Sequence, residues 1–375
     1  MVHALKTESY DRTLLCDRVK THLDALGTAD LLAGRTKVVL KPNLLLKRAP
    51  ELFTTTHPEV VYAVAKYFLN LGITDITLCD SPGGPYNETA LKGIYETTGM
   101  TAVAEELGIK LNFDFTSSQV PFPQGEICKG FEIITPLLQK DAFIVDICKA
   151  KTHCMTTLSG ATKNMFGSIP GLMKPRMHYQ FPDVYDFSGM INDVCQYVGP
   201  DLVVVDAVVG MMGDGPSSGI ACDMGYTLAG TSPFEVDVCL CHLMGFDVKQ
   251  VPMVQNAIDR GLTSENISVT GDALTPVKDF VKPASKSHDF LSGFPRPVAR
   301  VARKVMRAVL TPKPRVDLQA CIGCGKCAES CPPHTIKIEN RKAIINYKNC
   351  QKCYCCHEMC PISAISVAKN FLVKL

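Results

Sequence analysis

Residues 142–171 read AFIVDICKAKTHCMTTLSGATKNMFGSIPG. The first ten form an apolar, strand-like run. The remaining twenty are rich in glycine and serine and carry His153, Lys163 and Asn164. Similar apolar runs recur at 36–43 (TKVVLKPN), 75–82, 110–115 and 201–210 (DLVVVDAVVG). Between them lie helical stretches at 57–71, opened by Thr56 and Pro58, and at 89–107, 186–198 and 235–245. Strands alternating with helices predict an α/β domain over residues 1–285, a largely parallel sheet with flanking helices. No internal repeat or low-complexity stretch interrupts it.

Four of these strands end in polar or glycine-rich turns: Lys41-Pro42-Asn43, the segment 80–84 (DSPGG), Lys149 to His153, and the segment 206–219 ending GMMGDGPSSG. In a parallel sheet all C-terminal strand ends lie on one edge, where open α/β folds bind ligands. The turns therefore predict one composite site. Lys41, Asn43, Asp80, Lys151, Asp214 and Ser217 are its candidate binding residues for a ligand or an unidentified second cofactor. His153, Lys163 and His178 are its candidate catalytic residues. No turn spells GxGxxG or a P-loop, so nucleotide binding has no motif behind it. The glycines can present backbone N–H groups to a carboxylate or phosphate, and three lysines in an acidic region point to a small anionic substrate.

Taken singly, each residue has a plainer reading. A lone lysine is a solvated charge, and His57, His153 and His178 are structural. Asp80, Asp206 and Asp214 cap turns, and Cys148 and Cys154 are buried hydrophobes. Only their convergence on one edge argues for a site.

The chain of 375 residues contains 18 cysteines, nine of them between 321 and 360. No apolar run reaches the roughly 20 residues of a membrane helix, and MVHALKTESYDRTLL lacks the features of a secretory signal. A reducing, cytoplasmic setting is expected, in which clustered cysteines bind metal rather than form disulfides. Charge is divided: residues 1–289 hold 24 Lys and Arg against 33 Asp and Glu, and residues 290–375 hold 15 against 4. This split predicts a basic tail that docks on its own acidic domain or on an acidic protein. No nucleic-acid motif accompanies it.

CIGCGKCAESCP (321–332) and CQKCYCCHEMCP (350–361) each fit C-x2-C-x2-C-x3-C-P. In that two-cluster pattern the fourth cysteine of each run ligates the other cluster. One [4Fe-4S] cluster is expected on Cys321, Cys324, Cys327 and Cys360, the other on Cys350, Cys353, Cys356 and Cys331. Zinc would favour a longer gap between its CxxC pairs. Haem attachment at Cys353-Tyr-Cys-Cys356-His357 would take two ligands from a complete set. Cys355 is surplus to both clusters. TIKIENRKAIINY between the runs reads as a hairpin, and residues 316–375 as a small ferredoxin-like α+β domain. Residues 286–315 form a basic linker in which PVARVARKVMRAVL (297–310) has the pattern of an amphipathic helix. That helix either packs on the large domain or touches a membrane surface.

The segments KPN (41–43), TTTHPEVV (54–61), CDSPGG (79–84), 149–171 and MMGDGPSSG (211–219) resemble the iron–sulfur family known as domain of unknown function 362, over most of residues 36–245. Members often carry a ferredoxin tail. The large domain is more distantly similar to the nickel-pincer lactate racemases, in the order His153, Lys163, His178. The racemases lack the tail, so that similarity implies fold and site location and not nickel.

Together these features predict an oxidoreductase whose clusters exchange electrons with a small anionic substrate or second cofactor in the large domain. The alternatives are an electron-transfer or maturation protein that serves a redox partner, and a redox-neutral isomerase. Substrate, redox direction and oligomeric state are not encoded in any motif.

Overall fold

The computed structural model describes residues 1–284 and 311–367, and the amphipathic segment 297–310 lies outside them. The large region is built on a mixed, mostly parallel sheet of nine strands among the described residues. They are β1 (Val2–Lys6), β2 (Lys37–Pro42), β3 (Asp75–Leu78), β4 (Lys110–Leu111), β7 (Ala142–His153), β8 (Thr157–Ser159), β9 (Leu202–Met212), β10 (Ile220–Gly230) and β11 (Val269–Gly271). A separate hairpin joins β5 (Ser117–Pro121) to β6 (Gly130–Ile134). The order across the sheet is β11-β1-β10-β9-β7-β2-β3-β4, with β8 folded back on β7. β9, β7, β2, β3 and β4 run parallel to one another, whereas β10 is antiparallel to both β9 and β1 and β8 is antiparallel to β7.

Alternation along β7 divides the core. Phe143, Val145 and Ile147 face one layer, formed by helices Arg12–Ala25, Pro58–Asn70, Glu88–Thr97 and Met100–Leu107. Ile144 packs on the other face, against helix Val184–Val198 and the β5–β6 hairpin. Cys148 and Ala150 meet helix Pro233–Leu243 further along that face. Burial on both faces explains why the central strands read as mostly apolar runs. Removing one such side chain, Phe143 for instance, costs about 3–5 kcal/mol.

Several expected boundaries move. The stretch 89–107 is two helices, because Gly99 sits at φ +80° and breaks it. The strand expected at 110–115 shrinks to Lys110–Leu111. β9 runs past residue 210 to Met212 and turns back into β10. Asp206 is therefore a buried mid-strand residue and not part of a terminal loop.

The C-terminal region has its own small core and two antiparallel pairs. β12 (Pro314–Val316) pairs with β15 (Ile365–Val367), and β13 (Ile336–Glu339) pairs with β14 (Lys342–Ile345) as a hairpin. Each cysteine run contributes a one-turn helix, Lys326–Glu329 and Cys355–Glu358. Among the described residues no helix is long and apolar enough to cross a membrane.

Candidate functional site

The strand ends meet in a small cavity of about 50 Å³. β7 supplies Lys151 and His153, the turn after β2 supplies Asn43, and the turn after β3 supplies Asp80 to Gly83. Helix Ala161–Asn164 and the turn after it bring Lys163, Phe166 and Gly167. That helix is too short to hold itself, and buried carboxyls fix it. Asp237 accepts from the N–H groups of Ala161 (2.7 Å) and Thr162 (3.0 Å). Asp146 accepts from Asn164 Nδ2 at 2.6 Å. Burial pushes Asp237 up to about 6 and raises Asp146 well above the carboxylate range.

Three lysines border the cavity in different ways. Lys151 Nζ donates to Asn43 Oδ1 (2.8 Å) and to the Thr54 carbonyl (2.6 Å), leaving one N–H. Lys174 donates to the carbonyls of Ser81 and Ile169, both at 2.6 Å. Lys163 lies 4.7 Å from the centre of the Phe166 ring and makes no hydrogen bond within the described residues. Burial lowers all three, Lys151 and Lys174 to about 7, while the Glu358 carboxylate opposes the shift in each. Lys151 and Lys174 are thus poised near neutrality, and an added anion would favour the charged form of all three.

His153 Nδ1 accepts from the N–H groups of Met155 (3.0 Å) and Thr156 (3.3 Å), which leaves the proton on Nε2. Nε2 is buried without a hydrogen-bond partner and lies 3.7 Å from Glu358 Oε2. Burial, then the charge of Lys163, holds the ring's pKa well below its usual value, so it is neutral at physiological pH.

Glu358 belongs to the C-terminal module, which roofs the cavity. Arg48 donates to the carbonyls of Ser217, Cys360 (3.1 Å) and Pro361 (3.3 Å). Ser217 Oγ donates to the Glu358 carbonyl at 2.9 Å, and Tyr354 joins the apolar core beside helix Val184–Val198. Gly83 packs beneath Met359, whose sulfur would lie 2.6 Å from a Cβ placed there.

The expected residues divide into groups. Asn43, Asp80, Lys151, His153 and Lys163 line the cavity. Lys41 lies behind it, fully buried and bonded to Asp80 at 2.7 Å. Gly167 makes room for that pair, since a Cβ would stand 2.3 Å from Asp80 Oδ1. His178 stacks on Phe187 at 4.2 Å and is not a lining residue. Asp214 accepts from the Ala284 N–H at 2.7 Å, away from the lysines. Asp206 pairs with Lys149 (2.8 Å) and Tyr10 (2.9 Å), and His57 stacks on Tyr10. Burial raises the Cys148 thiol, and Cys154 is also buried. The sequence reading missed Glu358, Lys174 and Arg48. Glu358 sits inside a motif read for its cysteines, and Lys174 in a segment, MKPR, that no strand end announces.

The module brings its cysteines together as two quartets. One space is lined by Cys321, Cys324, Cys327 and Cys360, and another by Cys331, Cys350, Cys353 and Cys356. Backbone N–H groups approach their sulfurs: Thr335 to Cys331 (3.4 Å), Ala343 to Cys321 (3.4 Å), Lys352 to Cys350 (3.4 Å) and Ala364 to Cys360 (3.2 Å). Four thiols around each space, with N–H donors on the sulfurs, fit iron–sulfur clusters, whose potentials such bonds tune. Cys355 also lines the second space.

A lysine-lined strand-edge pocket beneath an iron–sulfur module defines the class of protein: an α/β domain coupled to a ferredoxin-type electron-transfer domain. The chain belongs to the DUF362 family, a domain of unknown function matched over residues 38–242, and residues 313–361 match a 4Fe-4S dicluster domain. It is 28% identical over 258 residues to the thylakoid-associated protein sll1697 of Synechocystis, covering 67% of this chain and 76% of that one. Its C-terminal region is 35% identical over 56 residues to a ferredoxin of Pyrobaculum islandicum, covering 15% of this chain and 52% of that protein. It is also 37% identical over 58 residues to pyruvate synthase subunit PorD of Methanothermobacter marburgensis, covering 16% of this chain and 68% of that subunit. The C-terminal module thus has an iron–sulfur electron-transfer role.

Proposed function

We propose that the protein is an oxidoreductase in which two [4Fe-4S] clusters, one on each cysteine quartet, exchange electrons with a small anionic substrate in the lysine pocket. The observation that carries this reading is the turn Cys355–Glu358. It contains the ligand Cys356 and places the Glu358 carboxylate 3.7 Å from His153 Nε2. The clusters, when bound, supply single electrons at low potential.

The chain's own groups do the rest. Lys163, with three N–H donors uncommitted, and Lys151, with one, hold the anionic group. The Nε2 proton of His153 faces the same space and is available to a substrate atom that gains charge. The roof and the buried lysine stems exclude water, which strengthens each of these interactions. Similarity to a ferredoxin and to a pyruvate synthase subunit supports a redox partner protein, which supplies or removes the electrons.

Anaerobic protein carrying its iron, reduced and freed of reductant, tests the proposal when mixed with a panel of small carboxylates and phosphate esters. One class is expected to restore the visible absorbance of the oxidised clusters, and Lys163→Gln is expected to slow that reoxidation at least about tenfold by removing a charged hydrogen bond. Equal rates in wild type and Lys163→Gln for every reoxidising compound would refute the assignment.

A further inference from the structure

The two cysteine quartets differ in their surroundings. The space of the second quartet is walled by Tyr354 and Cys355, both buried. Tyr354 packs into the core of the large sheet, and the Cys355 thiol lies within electrostatic reach of Lys163. The first quartet looks outward. Cys324 is exposed, and three wall residues of its space, Ile322, Ile338 and Ile362, are 55%, 37% and 43% exposed. One redox centre adjoins the pocket, and the other is ringed by apolar side chains that the described residues leave uncovered.

We propose that the rim around Cys321 and Cys324 is the docking face for an acidic single-electron carrier protein, so that electrons enter at the first quartet and reach the pocket by way of the second. Charge supports the choice of partner. Residues 311–367 hold eight Lys and Arg against four Asp and Glu. Lys326 is exposed between two of the ligands, and Arg341 is exposed at the turn whose carbonyl packs on Gly323, whereas Lys337 lies on the face of β13 opposite Ile338. Glu329 and Glu339 are exposed on the same module and temper the positive field without reversing it. Basic side chains of this kind steer an acidic carrier into encounter, and the isoleucines supply the short-range apolar contact. A small patch suits a transient contact, as electron-transfer encounters are among the smallest protein interfaces. In each encounter the carrier loses one electron and the first centre gains one, with no bond or proton moved. Among the described residues the inner quartet has no fully exposed cysteine, and Tyr354 and Cys355 cover part of its wall.

The inference rests on the electron exchange proposed above, and its test is independent of any substrate. The probe is a reduced, acidic, bacterial-type ferredoxin, mixed with oxidised protein carrying its iron. The second-order rate of reduction is expected to fall about tenfold between low and high salt. The pair Lys326→Glu and Arg341→Glu is expected to lower it similarly, while reduction by dithionite is unchanged. Ile362→Gln, which leaves the charges intact, is expected to slow transfer without altering its salt dependence. Carbodiimide cross-linking gives a readout other than rate, and the cross-links are expected at Lys326. The proposal is overturned if the cross-links fall instead on Lys348 or Lys352, or if the double charge reversal retains iron content and leaves the rate unchanged. Docking at the rim, with no small anion able to reoxidise the clusters, would sink the oxidoreductase reading and leave the docking face standing.

Discussion

Affinity for an anion in the lysine pocket is predicted to fall about tenfold for each pH unit above 7. Burial lowers Lys151 from its ordinary value of 10.5 to about 7. The groups that act on it are Glu358 and Asp80, which favour its charge, and Lys149 and Lys163, which oppose it. An anion beside Lys151 favours the ammonium form, so above pH 7 binding must take up a proton. At pH 9 about 1% of Lys151 carries its charge before binding, and recovering it costs about 2.7 kcal/mol, or a hundredfold in affinity. Lys174, also lowered to about 7 and also favoured by Asp80 and Glu358, steepens the slope toward two protons if its charge is needed as well. His153 contributes nothing over this range because burial keeps it neutral. Calorimetric titration with oxalate, in two buffers of different ionisation heat at pH 8, reads proton uptake and affinity together. Lys151→Gln is expected to weaken binding at pH 7 and to flatten the slope. Oxalate that binds in the pocket with the same affinity at pH 7 and pH 9 would refute the reasoning.

Two more outcomes rest on single contacts. Glu358→Gln removes the carboxylate that favours the charge of all three pocket lysines, and the pH above which oxalate affinity falls is expected to shift downward; an unshifted pH profile would show that Glu358 does not act on the lysines. Gly167→Ala drives a methyl group into the Lys41–Asp80 pair, and disturbing a buried pair costs about 3–5 kcal/mol, so the thermal unfolding midpoint is expected to fall by several degrees. An unchanged midpoint would show that the turn relaxes away from the pair.

Much of this architecture is legible in the sequence because burial writes it there. β2, β7 and β9 are covered on both faces and read as mostly apolar runs, interrupted by the buried charges Lys41, Asp146, Lys149, Lys151 and Asp206. The cysteine spacing predicts the same two quartets that line the two spaces of the module. Other elements leave weaker traces. β10, IACDMGYTLAG, contains a register shift between Asp223 and Tyr226 and mixes polar with apolar residues, so no strand period emerges. β1 is only five residues long and gains its stability from β10, its partner more than two hundred residues away. At the strand ends, position in the sheet places Lys151, His153 and Asn43 on the wall of one cavity. Strand-end position misled for Asp206, because the strand continues beyond it and Lys149 neutralises it within the sheet. Glu358 was invisible for a different reason: its role depends on how the module sits over the large domain, and nothing local to the motif encodes that packing.

The central claim is that the iron–sulfur module and the lysine pocket form one functional unit. Electron paramagnetic resonance of the anaerobically reduced protein, with and without oxalate, tests it most directly. The account predicts that the signal of the cluster held by Cys331, Cys350, Cys353 and Cys356 changes when the anion binds. The other signal is expected to stay fixed, and Lys163→Gln to abolish the change. Oxalate bound at full occupancy in the pocket, with both signals unaltered, would contradict it.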